Sequence, residues 1–171
     1  MFRLKPTYIV ERVTDINLDD LKDEGLKGLI FDLDNTLIAP KAAALMEDIS
    51  HWLERAKVDF KIAIVSNNPH MGYLEVCQKE LNVPVYGKAG KPRRSTTIKA
   101  LKEMDLLPNQ VVIVGDRPLT DILVGVRLGL TTILVDPLIK HQEIAIVKLL
   151  RKLERLFVKA PHKNFSQKNR D

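Results

Sequence analysis

The sequence predicts an α/β fold, a doubly wound parallel sheet with helices on both faces. Short runs rich in Val and Ile lack polar alternation, as parallel strands covered on both sides do. Helix-length segments separate those runs, and a β-α-β-α order favours one open sheet wound in both directions. The length of 171 residues suits one compact domain with a tail.

The elements follow in order. A short helix near 17–24 precedes the first apolar run, KGLIFDL, near 27–33. A helical pattern over about 41–57 leads to KIAIVS near 61–66. A second pattern over 69–81 leads to VPVY near 83–86, and a third over 94–104 leads to QVVIVGD near 110–116. A fourth over 119–129 leads to TTILVD near 131–136. Pro40 and Pro69 suit first-turn positions, Asn68 or Ser95 suits a cap, and Gly87 and Gly129 mark turns. A last helix is expected over about 141–158, so the domain spans 1–159. Residues 160–171 are polar and aperiodic and are expected to fray.

Composition narrows the chemistry. The single cysteine, Cys77, excludes an internal disulfide and any cysteine-cluster metal site, which favours a reducing, cytoplasmic setting. The four histidines show no ligand-like spacing. No apolar run approaches the length needed to span a bilayer. The first ten residues are too short and polar for a signal peptide. The net charge of +5 is uneven: residues from 140 onward carry nine Lys or Arg against three Asp or Glu. The basic character therefore belongs to the C-terminal end.

Four pieces fall at the carboxyl ends of expected strands, where open α/β sheets place ligands. They are FDLDNT with Asp32, Asp34 and Thr36; VSNN with Ser66 and Asn67; GKP with Lys91; and GDRPLTD with Asp116 and Asp121. In an extended segment Asp32 and Asp34 share a face and Leu33 points away. Phosphoryl chemistry wants these types. A carboxylate can attack phosphorus, a second can move the proton, and a hard cation takes oxygen ligands. A hydroxyl and a lysine hold phosphoryl oxygens. Asp116 can share a metal with Asp32 only if the first and fourth expected strands are neighbours.

In this order the pieces resemble the haloacid dehalogenase superfamily of phosphatases. DLDNT is similar to the D-x-D-x-T signature of that superfamily. DLDNTL, IVSNN, KP and GDxxxTDxxxGxRxG followed by TILV resemble more closely its subfamily IIIA and the YqeG-type branch, whose relatives include phosphatidylglycerophosphate phosphatases of phospholipid biosynthesis. The resemblance implies a Mg²⁺-dependent phosphomonoesterase working through an aspartyl-phosphate. It implies Asp32 as nucleophile and Asp34 as general acid/base, the latter also a metal ligand through its backbone carbonyl. It implies Asp116 as metal ligand and Asp121 near the metal in an outer position. Thr36 would fix the loop and help with the phosphate, while Ser66 and Lys91 bind the phosphoryl group, with Asn67 close by.

Relatives of this fold often insert a cap domain. Here 24 residues separate Thr36 from the second expected strand, and four separate Tyr86 from Lys91, so no cap domain fits. The site is expected to be open, suited to a lipid head group or other large substrate. On the last helix, Ile144, Val147, Leu150, Leu153 and Phe157 recur at helical spacing among Lys148, Arg151, Lys152, Arg155 and Lys159. Such a helix either packs its apolar stripe on the sheet or lies peripherally on an anionic membrane. No nucleic acid is expected, since no aromatic-interleaved basic patch is present. The oligomeric state is left open. Three other readings compete: a phosphatase of a soluble sugar or nucleotide phosphate, a non-catalytic assembly factor on the same fold, and a receiver module. The last would need its acid at Tyr86-Gly87.

Overall fold

The structure is a computed structural model that describes residues 4–39, 44–139, 149 and 153–166. Six parallel strands form one sheet in the order β1-β6-β5-β2-β3-β4. The strands are β1 (Tyr8–Ile9), β2 (Gly28–Phe31), β3 (Lys61–Val65), β4 (Val85–Tyr86), β5 (Val111–Gly115) and β6 (Thr131–Leu134). The helices are α1 (Leu18–Asp23), α2 (Glu47–Asp59), α3 (Met71–Leu81), α4 (Ser95–Met104) and α5 (Leu123–Leu128). Every residue of β2 and β5 is buried, which is why their sequences read as unbroken apolar runs.

The sheet divides the interior in two. On one side Phe31, Trp52, Ile49, Leu53 and Ile64 belong to the larger cluster. On the other, Ile30, Ala63, Ala100, Leu101 and Ile113 belong to a smaller one. Alternate residues of β2 therefore serve opposite faces. From β2 the chain winds outward through β3 and β4, then crosses back to β5 and β6 on the other flank. The strand order reverses between β2 and β5, where a crevice opens at the carboxyl ends. Gly28 through Phe31 pair in register with Val111 through Val114, so the segments following the two strands emerge side by side.

Several boundaries differ from the sequence expectation. Strand β1 was not expected; it is two residues long and pairs with β6 through Tyr8 and Ile9. Helix α2 starts at Glu47, not near 41, because Met46 is extended and Glu47 and Asp48 supply the acidic first turn. Pro40 lies outside the described residues. Helix α3 starts at Met71, two residues beyond Pro69, and Arg94 precedes α4 where Ser95 was expected to cap. The segment after β5 opens with a wider π turn, Pro118–Ile122, before α5. Gly129 ends α5 in the left-handed region at φ 73°, a conformation glycine takes without steric cost.

The C-terminal end departs most. The helix expected over 141–158 lies largely outside the described residues; 149 and 153–156 are helical. Leu153, expected on the apolar stripe, is exposed, and the neighbouring Glu154 is buried. Residues 160–166, expected to fray, are strapped to the body. Phe165 stacks on Tyr8 with ring centroids 4.0 Å apart. Lys163 pairs with Glu24 at 2.7 Å, and Ser166 Oγ donates to Asp20 at 2.6 Å. The aromatic contact and paired charges hold a segment that composition alone reads as loose.

Candidate active site

Asp32 leaves β2 with its N–H donating to Val114 O at 2.9 Å, so the strand pairing continues to the first carboxylate. Leu33 is fully buried, while Asp32 and Asp34 are partly exposed, as expected for alternate residues. A tight turn then reverses the chain. Asn35 takes a positive φ of 67°, and the N–H groups of Leu37 and Ile38 both donate to Leu33 O. Thr36 contributes through this turn. Its hydroxyl is buried and makes no hydrogen bond among the described residues.

The loop after β3 is tied to the loop that carries the lysine. Asn67 Nδ2 donates to Lys91 O at 3.2 Å, and Lys91 N–H donates to Asn67 Oδ1 at 2.7 Å. Asn67, expected near the phosphate, therefore spends its amide on fixing the Lys91 backbone. Ser66 is buried and its Oγ accepts from Asn68 N–H at 3.0 Å. The Lys91 side chain is almost wholly covered. Its Nζ lies 2.7 Å from Asp32 Oδ1 and 2.7 Å from Asp121 Oδ1.

Asp116 leaves β5 beside β2, and Asp121 lies on the π turn. One carboxylate oxygen from each of Asp32, Asp116 and Asp121 falls within 4.8 Å of the others. Asp121, expected in an outer position, thus reaches the cluster, and both its oxygens are engaged: Oδ1 on Lys91, and Oδ2 accepting from Arg117 N–H at 3.1 Å. Gly115 makes room for it, since a Cβ there would meet the Asp121 carboxylate at 2.4 Å.

Three carboxylates against the Lys91 ammonium leave an excess of negative charge in a poorly solvated place. Burial pushes the Asp32 carboxyl up to about 7; the Lys91 ammonium pulls it back down, and Asp121 and Asp116 push it further up. Burial alone would lower Lys91, but Asp121 and Asp32 hold it above its ordinary value. Hard oxygen donors with surplus negative charge fit a divalent cation such as Mg²⁺.

Asp34 does not join this cluster with its side chain. Asn68 Nδ2 donates to Asp34 Oδ2 at 3.0 Å, and Tyr73 OH donates to Asp34 Oδ1 at 3.3 Å. Burial and then Asp34 push the Tyr73 hydroxyl up, so it stays a donor. The sequence reading missed both residues in this role. The second Asn of VSNN was the only signal, and it reads equally well as a helix cap.

Arg117 follows Asp116 in the GDRPLTD segment. Its Nη2 lies 2.6 Å from Glu154 Oε1 on the C-terminal segment, a pairing across 37 positions that no local pattern announces.

The family model for mitochondrial PGP phosphatase matches residues 2–139. "Probable phosphatase YqeG" of Bacillus subtilis is 33% identical over 156 residues, covering 91% of this chain and 90% of its own length. "Phosphatidylglycerophosphate phosphatase 1, chloroplastic/mitochondrial" of Arabidopsis thaliana is 32% identical over 163 residues, covering 90% of this chain. The chain spans 47% of the Arabidopsis relative's length and 55% of that of the Chlamydomonas reinhardtii relative, "Phosphatidylglycerophosphate phosphatase 1, chloroplastic". Among solved structures, a HAD family hydrolase from Deinococcus radiodurans aligns at TM-score 0.54 with 16% identity, covering 82% of this chain and 93% of that one. That likeness establishes the haloacid dehalogenase-type fold. On the match over residues 2–139 and the shared identity with the Bacillus protein, the chain belongs to the mitochondrial PGP phosphatase family.

Proposed function

We propose that this chain is a Mg²⁺-dependent phosphomonoesterase that works through an aspartyl-phosphate on Asp32, with phosphatidylglycerophosphate as substrate. One observation carries the reading: the Asp32 carboxylate lies 2.7 Å from Lys91 Nζ and within the same cluster as Asp116 and Asp121. A nucleophile, a phosphoryl-binding cation and a set of hard donors meet at one spot.

A carboxylate oxygen of Asp32 attacks phosphorus while the ester P–O bond breaks. Asp34 delivers a proton to the departing oxygen. A water then attacks the same phosphorus and yields its proton to Asp34. The bond to Asp32 breaks, inorganic phosphate leaves, and the carboxylate is restored. Lys91 and Ser66 hold phosphoryl oxygens, and Asp121 keeps Lys91 aimed. Asp32, Asp116 and the Asp34 carbonyl would hold the cation, which, when bound, offsets repulsion between the anionic nucleophile and the anionic phosphate.

The lipid substrate is supported by the names of the plant and algal relatives and by the C-terminal segment. Leu149, Leu153 and Leu156 are all exposed at i, i+4, i+7 spacing, on the most basic stretch of the chain. This face supports peripheral contact with an anionic membrane. Among the described residues, no helix is long and apolar enough to cross one.

The test is phosphate release from an aryl phosphate and from phosphatidylglycerophosphate in mixed micelles, with Mg²⁺ and with chelator. Asp32→Asn is expected to lower turnover by about a thousandfold or more; full activity would remove Asp32 as nucleophile. Turnover of soluble phosphates alone would remove the lipid and leave the phosphatase. Metal binding with no turnover on any phosphate would favour the assembly-factor reading.

A further inference from the structure

We infer that Arg127 is a positioning residue for phosphoryl binding: from the far end of the unit that carries Asp121, it anchors the loop that presents Lys91. This rests on the phosphatase reading and names a residue, outside the acidic cluster, on which Lys91 depends.

The loop of residues 87–94 joins β4 to α4 and carries Lys91. Its first half is tied to the segment that follows β3. Lys88 N–H donates to Asn68 O at 3.1 Å, and Ala89 N–H donates to Ser66 O at 3.0 Å. Asn67 holds both the N–H and the carbonyl of Lys91. All of these holds come from the β3 side. The Lys91 ammonium works across the crevice, against carboxylates that follow β2 and β5. Two contacts reach the loop from the β5 side. One is Asp121, on the ammonium itself at 2.7 Å. The other is Arg127, whose Nη1 donates to Pro92 O at 2.9 Å.

The two contacts have one source. Asp121 lies on the π turn Pro118–Ile122, which runs directly into α5, and Arg127 stands near the end of that helix. The unit is seated hard on the sheet. A Cβ at Gly125 would meet Ile113 Cγ2 at 2.4 Å and Thr132 Cγ2 at 2.6 Å, so α5 approaches β5 and β6 more closely than a side chain at 125 would allow. One firmly packed element thus grips Lys91 at its tip and the next residue at its backbone. Pro92 has no N–H, so its carbonyl is the backbone group that a neighbour can hold.

The second grip matters most during turnover. When the Asp32 oxygen bonds phosphorus, it no longer serves as the ion-pair partner of Lys91, and the ammonium turns to phosphoryl oxygens. Asp121, Asn67 and Arg127 then keep Lys91 in place. Arg127 is exposed, and among the described residues its side chain pairs with no carboxylate. A single exposed hydrogen bond contributes modestly to stability, so its effect is read in the placement of the loop and not in the folding of the chain.

The test reads Lys91 in two ways. The first is labelling of lysines by acetic anhydride, followed residue by residue by mass spectrometry. The Lys91 side chain is 1% exposed and is expected to label slowly in the wild-type chain. Arg127→Met should speed its labelling about threefold or more. Lys57 and Lys61, whose ammonium groups are held by the carbonyls of Leu81 and Met104, should label as before. The second is kinetics on an aryl phosphate with Mg²⁺, with orthovanadate as phosphate mimic. Arg127→Met should raise KM and the vanadate inhibition constant about fivefold while kcat changes less than about twofold. Arg127→Lys keeps a donor that reaches a carbonyl and should recover most of both effects. If Arg127→Met fails to fold, Arg127→Gln carries the same readings.

Unchanged Lys91 labelling, an equal rise at Lys57 and Lys61, or unchanged KM and vanadate constants would each overturn the inference. Absence of aryl phosphate turnover in the wild type would remove the phosphatase reading and this inference with it. Turnover in the wild type with the same constants in Arg127→Met removes only this one.

Discussion

Asp34 hangs from two neutral donors, Asn68 and Tyr73, and not from a cation. Both bonds fix the carboxyl that the proposed mechanism uses for proton transfer. Tyr73→Phe and Asn68→Ala are each expected to lower kcat about tenfold with a smaller effect on KM, which steady-state kinetics on an aryl phosphate would check. An unchanged kcat in both would remove Asp34 from proton transfer. Asp32 gives a pH signature. Its folded value, pushed up to about 7, exceeds the ordinary carboxylate value near 4. The proton on Asp32 therefore favours the folded chain below about pH 4, and that support is lost as pH rises through about 7. Mg²⁺ competes with this proton. The gain in thermal midpoint on adding Mg²⁺ should be larger at pH 8 than at pH 5, and an equal gain at both would count against Asp32 as a ligand. The acids and the lysine were legible in the sequence because each follows a strand at a telling distance. Tyr73 and Glu154 were not, since a tyrosine on a helix and a glutamate among basic residues have ordinary local explanations.

At the level of elements, the π turn Pro118–Ile122 and Gly115 together decide where Asp121 points. Gly115→Ala would drive a methyl into that carboxylate. It should weaken Mg²⁺ binding and lower activity while leaving most of the far-UV helix signal, which titration calorimetry and circular dichroism would show. Asn67→Ala should loosen Lys91 and raise KM several-fold, because two hydrogen bonds to the Lys91 backbone disappear. The runs of β2, β3, β5 and β6 were readable as strands because burial on both faces leaves few polar residues to interrupt them. Strand β1 was not, because its two residues sit in a briefer apolar run, YIV, than the VPVY of the equally short β4, and their partner in β6 lies over 120 positions away. The widened turn after β5 was likewise invisible, since it differs from an ordinary first turn only in hydrogen-bond spacing.

For the molecule as a whole, the two ends of the chain close one flank together. Phe165 lies flat on Tyr8, and Lys163 and Ser166 reach Glu24 and Asp20. Phe165→Ala is expected to destabilise the chain by about 1–2 kcal/mol in urea unfolding; no change would mean that the strap is not held in solution. The strand order has a further consequence for how activity arises during synthesis. The strand that leads to Asp32 lies inside the sheet, and its neighbour β5, which leads to Asp116, is made some 80 residues later. A nascent chain can lay β2, β3 and β4 against one another as they leave the ribosome. On the proposed mechanism it stays inactive until the segment bearing Asp116 and Asp121 emerges, so a product truncated before that segment holds Asp32 without its acidic partners.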